Sequence, residues 1–92
     1  MPNADFTTKQ GQYLAYIHLY TRLHRAAPAE TDFRFYFGTT APSIHQMIVT
    51  LHKKGFISRT PRTSRSIRLL IPTDQIPELL PIQSIRTSAS QN

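Results

Sequence analysis

The chain has 92 residues, enough for one domain with a small core; at this size only about 60–65% of the unfolded surface is buried on folding. A hydrophobic fraction of 39%, with five Phe and four Tyr, excludes a wholly disordered chain, and the lack of cysteine excludes disulfides and thiolate metal sites. Eleven Lys or Arg against five Asp or Glu leave a net charge of +6, which points to a polyanionic partner.

No apolar run approaches the ~18–20 residues of a membrane span, and the start Met1 to Asp5 is neither basic nor followed by a signal-like apolar core. The expectation is a soluble, cytoplasmic protein, associated with the nucleoid if the host is prokaryotic. The cations do not lie along one amphipathic helix, so a membrane-surface role is disfavoured.

The first helix is expected from Lys9 to about Arg25, after candidate N-caps Thr7 and Thr8. Tyr13, Leu14, Ile17, Tyr20 and Leu23 or His24 form its buried stripe. Tyr16 and Leu19 fall off that stripe and are candidates for a partner contact. Pro28 disfavours helical geometry at Ala27 and ends the helix. A second helix is predicted over Glu30–Phe37, with Glu30 and Asp32 suited to its positive end, Phe33 and Phe37 on one face, and Gly38 as its stop.

The third helix starts after N-cap Thr40, with Ala41 and Pro42 in a first turn where proline is tolerated. Ile44, Ile48 and Leu51 share its inner face, with Met47 at the edge. Pro42, His45, Gln46, Val49 and Lys53 face the other way, and Lys53, Lys54 and Gly55 close the helix. A hairpin follows: residues 56–59 lead in, Thr60 to Arg65 form a polar tip, and residues 66–71 return. On the return, Ile67 and Leu69 face one way and Arg68 the other. Pro72, Pro77 and Pro81 break the remainder, where Thr73 to Leu80 allows one capped turn, and Arg86 to Asn92 is expected to fray. Ile76, Leu79, Leu80, Ile82 and Ile85 are too few to build a second core.

This order predicts an α+β, mainly α fold: a winged helix-turn-helix of three helices and a C-terminal β-hairpin wing. Residues 1–71 make that unit. Residues 72–92 are a Pro-rich tail, partly ordered or disordered, and a candidate dimer contact. The second and third helices, joined through Gly38, Thr39 and Thr40, have the layout that places a helix in the major groove of DNA. The candidate base-reading residues are Thr40, Pro42, Ser43, His45, Gln46, Val49, Thr50 and Lys53. Among these, Gln46 can pair bidentately with adenine, and Pro42 or Val49 can touch a thymine methyl.

Between Phe33 and Thr73 there is no acidic residue, while Arg34, Lys53, Lys54, Arg59, Arg62, Arg65 and Arg68 are all present. The arginines at every third position of the hairpin suit phosphate oxygens or a narrow minor groove. Candidate wing contacts are Arg59, Arg62, Thr63, Ser64, Arg65 and Arg68, with no carboxylate close enough in sequence to neutralise them.

Catalytic constellations are lacking. His18 and His24 point about 120° apart on one helix, His45 and His52 find no third ligand, and there is no Gly-rich phosphate loop or nucleophile motif. No enzyme activity, metal, cofactor or small-molecule substrate is expected.

Four segments, Phe6-Thr7-Thr8-Lys9-Gln10, Ala27-Pro28-Ala29-Glu30, His52-Lys53-Lys54-Gly55-Phe56-Ile57-Ser58 and above all Ser64-Arg65-Ser66-Ile67-Arg68-Leu69-Leu70, resemble the DNA-binding domain of LexA-type repressors. The likeness runs from Phe6 to Leu70. It implies that the third helix reads operator bases, through Thr40, Pro42, Ser43, His45 and Gln46, and that Arg62 and Arg65 of the wing touch the backbone or minor groove. The start of the third helix is about one residue shorter than the family's, and its reading face lacks the family's paired acids. The self-cleaving serine–lysine domain is not expected, nor the dimerisation platform it supplies.

The reading is a sequence-specific regulator of transcription, a repressor, acting on double-stranded DNA as a homodimer. Two alternatives stay open: a low-specificity architectural or mobile-element accessory DNA-binding protein, and a winged helix used for protein–protein interaction.

Overall fold

The computed structural model describes residues 5–81. Helix α1 (Thr8–His24) opens with a reciprocal cap: the Gln10 N–H donates to Thr7 Oγ1 at 3.1 Å, and the Thr7 N–H donates to Gln10 Oε1 at 3.0 Å. It closes at Arg25, whose left-handed backbone (φ 57°) sends its N–H to the Thr21 carbonyl. Helix α2 (Glu30–Phe37) has no side chain to cap it from Ala29; instead Asp32 Oδ2 accepts the Ala29 N–H at 2.8 Å. Gly38, at φ 65°, supplies the left-handed stop.

Helix α3 (Ala41–Lys53) is capped by Thr40, whose hydroxyl accepts the Ser43 N–H. Its far end is a Schellman turn. The Gly55 N–H bonds the His52 carbonyl, the Phe56 N–H bonds the Leu51 carbonyl, and Gly55 sits at φ 80°. That turn aims the chain directly into the hairpin.

Strands β1 (Ile57–Ser58) and β2 (Arg68–Leu69) pair antiparallel, Ile57 opposite Leu69 and Ser58 opposite Arg68. The ladder is shorter than the sequence suggests, because the Ser66 side chain takes over from the backbone. Its hydroxyl accepts the Thr60 N–H at 2.9 Å and also bonds the Thr60 and Thr63 carbonyls. The resulting loop holds Arg62 (φ 64°) and Arg65 (φ 57°) in left-handed conformations uncommon for non-glycine residues.

Leu14 and Ile17 from α1, Phe33 from α2, Ile44, Ile48 and Leu51 from α3, and Ile57, Ile67 and Ile71 from the hairpin form one core. Tyr13 stacks on Phe37 with ring centroids 4.3 Å apart. Tyr16 stacks on Tyr36 and meets the edge of Phe33. Tyr16 is therefore buried, not free for a partner, because α2 carries an aromatic ladder that closes over it. Leu19 stays partly exposed, as its helical phase implies, but Leu23 is exposed (68%) and not part of the stripe. His24 is also exposed, with its ring over Tyr20.

The chain beyond Ile71 continues the same core. After a 3-10 turn at Thr73–Gln75, Ile76 and Leu79 pack against the helices. The buried Gln12 amide holds the following backbone at two points: Nε2 donates to the Glu78 carbonyl (3.0 Å) and Oε1 accepts the Leu80 N–H (2.7 Å). Tyr36 Oη donates to the Leu80 carbonyl. Gly11 makes room for this strap, since a Cβ there would sit 2.9 Å from the Phe6 ring and 3.1 Å from Pro77. Ile76 and Leu79 are thus spent inside the protein, whereas Ile82, Ile85 and the expected frayed end lie outside the described residues.

Replacing Gln12 with Ala removes both hydrogen bonds to the strap and is expected to lower the unfolding free energy by about 1–2 kcal/mol in urea titrations. The Leu80 amide should then lose exchange protection while the α3 amides keep theirs.

Candidate nucleic-acid interface

Helical phase decides what α3 presents. With Ile44, Ile48 and Leu51 fully buried, Pro42, Ser43, His45, Gln46 and Lys53 are exposed, and Val49 and Thr50 are half-buried at the rim. The Thr40 and Ser43 hydroxyls bond each other at 3.0 Å, so the first turn carries a fixed pair of hydroxyls. All eight sequence-selected residues of this segment lie at or near one surface.

One neighbour on that surface was not legible from the helix itself. Glu30 Oε2, from the first turn of α2, lies 3.2 Å from His45 Nδ1, with both side chains largely exposed. The face next to His45 therefore carries a carboxylate. Sequence spacing gave Glu30 only a helix-dipole role, because the pair is made across the turn between α2 and α3.

The wing arginines divide into two groups. Arg62 and Arg68 are exposed, and Arg59 is half-buried with its Nε enclosed and without a protein partner among the described residues. Arg65 turns back onto the helices. Its Nη1 donates to Tyr20 Oη (3.0 Å), the Ala27 carbonyl (3.1 Å) and Asp32 Oδ2 (3.2 Å), and its guanidinium lies 6.0 Å from the Tyr20 ring centre. The expectation that no carboxylate reaches the wing is thus corrected: Asp32, 33 residues away, does so through the fold. The Tyr20 hydrogen bond, seconded by Asp32, raises the Arg65 pKa above its ordinary value. Burial, with help from the Asp32 charge, pushes the Tyr16 phenol up to about 12, so this tyrosine stays protonated throughout the neutral range.

Between the wing and α2 runs an open cleft of about 540 Å³, lined by Ala29, Glu30, Ile48, Arg59, Arg62 and Ser64 among others. Thr63 and Ser64 are exposed on its wing side. The basic wing and the start of α2 wall this cleft, to which α3 contributes Ile48. Among the described residues no three His, Asp or Glu side chains come close enough to hold a metal ion, and no helix is long and apolar enough to cross a membrane.

No family model matches the chain. Among curated proteins it is similar to the LexA repressor of Thermosipho melanesiensis, 34% identical over 77 residues, which covers 84% of this chain and 38% of that protein. The LexA repressor of Thermosipho africanus is 33% identical over 66 residues, 72% of this chain and 33% of that protein. The LexA repressor of Magnetococcus marinus is 46% identical over 46 residues, 50% of this chain and 19% of that protein. The chain spans less than two fifths of the length of each of these relatives.

Since Arg65 is engaged with the helices but solvent-screened, its replacement by Ala should leave the thermal unfolding midpoint nearly unchanged. Amide exchange across residues 62–66 should nevertheless accelerate at least tenfold, because the wing tip loses its anchor. The same measurement on Arg62→Ala should show little change.

Proposed function

The chain carries a winged helix-turn-helix of the LexA repressor family, and from that premise we propose that it binds double-stranded DNA as a sequence-specific transcriptional repressor. The observation that supports this most directly is the exposed polar face of α3 together with a wing whose Arg62 and Arg68 are unpaired among the described residues. In this reading discrimination and affinity fall to different elements. On α3, Gln46 offers the donor and acceptor pair that adenine requires, and Pro42 and Val49 offer apolar contact to thymine methyls. The bonded Thr40 and Ser43 hydroxyls suit a phosphate or a base edge.

His45 acts with a fixed ring. Donating Nδ1–H to Glu30, the ring presents Nε2 outward as an acceptor. The Glu30 carboxylate also repels phosphate, which selects against poses that slide the backbone towards α2. On the wing, Arg59, Arg62 and Arg68 supply the charge that draws in the DNA, with Thr63 and Ser64 as hydroxyl donors. Arg65, given its three protein partners, positions the wing instead of gripping phosphate. Lys53 and Thr50 extend the α3 contact toward its C-terminal end.

A single α3 face reads only a few base pairs, so two copies on a repeated site are expected. Leu19 and Leu23 remain exposed on α1 for such an association, whereas Tyr16, Ile76 and Leu79 do not.

Selection from a random duplex pool tests the reading, and it should enrich one motif, repeated at the spacing of the two half-sites. Gln46→Ala should then weaken the selected site by roughly 1–3 kcal/mol and leave random duplex unaffected. Arg62→Ala should weaken both and reduce the salt slope by about one. A pool that stays random while binding remains steeply salt-dependent assigns the protein to low-specificity architectural binding instead.

A further inference from the structure

We propose that the groove between α1 and the outer edge of β2 docks an extended acidic peptide segment of a partner protein. Strand phase comes first. The Leu70 N–H bonds the Phe56 carbonyl at 2.9 Å, and Ile57 lies opposite Leu69. In an antiparallel pair this phase turns the backbone groups of residues 56, 58, 68 and 70 toward the partner strand. The N–H and C=O groups of Ile67 and Leu69 therefore point to the opposite edge. Among the described residues the sheet has two strands, and no other backbone group bonds that edge. Both side chains meanwhile pack on the core, so the edge presents bare backbone.

Charge identifies the occupant. The groove alongside this edge has a volume of about 650 Å³, and His18, Arg22, Ala26, Arg68 and Leu69 are among its walls. No carboxylate lines it, and Arg22 and Arg68 are both exposed. A phosphodiester backbone would meet the cations but offers only acceptors, leaving the Ile67 and Leu69 carbonyls facing anions. A peptide strand supplies donors and acceptors alternately, and so matches the edge as well as the charge. Carboxylates on its alternate residues would reach Arg22 and Arg68.

The groove lies on the α1 side of the hairpin, while the cleft beside the α3 face lies on the other. Arg65, Ser66 and Ile67 line both and form the wall between them. Peptide docking does not rest on the DNA-binding reading, although it draws on Arg68 and shares the wall of Arg65, Ser66 and Ile67 with the cleft.

The test is an NMR titration of the full chain with an acetylated, amidated hexapeptide of alternating Val and Glu, and with its Val/Lys counterpart. The Glu peptide should shift the Ile67 and Leu69 amides and slow their hydrogen exchange at least tenfold. Arg22→Glu should weaken that binding at least tenfold with an unchanged thermal unfolding midpoint, and the Lys peptide should not bind. Equal binding of the Lys peptide, shifts confined to α3 or the wing tip, or no binding at millimolar peptide would overturn the proposal. So would a short DNA duplex that shifts the Ile67 and Leu69 amides more strongly than the peptide does, which would assign the groove to nucleic acid.

Discussion

A hairpin with two paired residues in each strand cannot hold its own position, since even longer isolated hairpins are marginal in water. Here the position comes from outside the ladder. Ile57, Ile67 and Ile71 root the hairpin's base in the core, and Arg65 fastens its tip to Tyr20 of α1, the Ala27 carbonyl of the α1–α2 turn and Asp32 of α2. A guanidinium fits this task because it is permanently charged and the two N–H groups of Nη1 can be shared among these neighbouring acceptors. The left-handed backbone at Arg65 sits where the tip turns back toward the helices.

The same contact ties the wing to the start of α2. Asp32 Oδ2 accepts both the Arg65 guanidinium and the Ala29 N–H, so one carboxylate oxygen caps the helix and anchors the tip. Glu30, two residues earlier, holds His45 of α3. The first turn of α2 thereby sets the wing on one side and a residue of the exposed α3 face on the other. Two acids at a helix start would ordinarily be explained by the helix dipole alone. In this fold Asp32 also neutralises one wing cation and Glu30 bonds one α3 ring, leaving the charge of Arg59, Arg62 and Arg68 without carboxylate partners among the described residues.

What the sequence disclosed follows from how local each signal is. The start and stop of the helices were legible because Thr7, Gln10, Thr40, Gly38 and Gly55 act within five residues of the groups they satisfy. The buried and exposed faces of α3 followed from its period. Tyr16 was misplaced because its helical phase is marginal, and only the aromatic rings of α2 make that position interior. Arg65 and the strap at Glu78 to Leu80 were invisible for a different reason. Their partners lie 33 to 68 residues away in sequence, and nothing in the local pattern of an arginine or a glutamine names a distant acceptor. The long strands expected of the hairpin failed because a serine hydroxyl can substitute for a ladder bond without changing the hydrophobic alternation.

The two sides of the hairpin are consequently not independent surfaces. The wall formed by Arg65, Ser66 and Ile67 is shared, and Ser66 also fixes the loop that carries Arg62. A ligand that tightens β2 from the α1 side would restrict the same loop that faces the cleft beside α3. Coupling of this kind is reciprocal: whatever one occupant contributes to the other's affinity must be returned in the opposite direction. The Arg65 anchor, half-exposed and made through Nη1, lies in that shared wall. The contact that fixes the wing's geometry is therefore also part of the wall between its two sides.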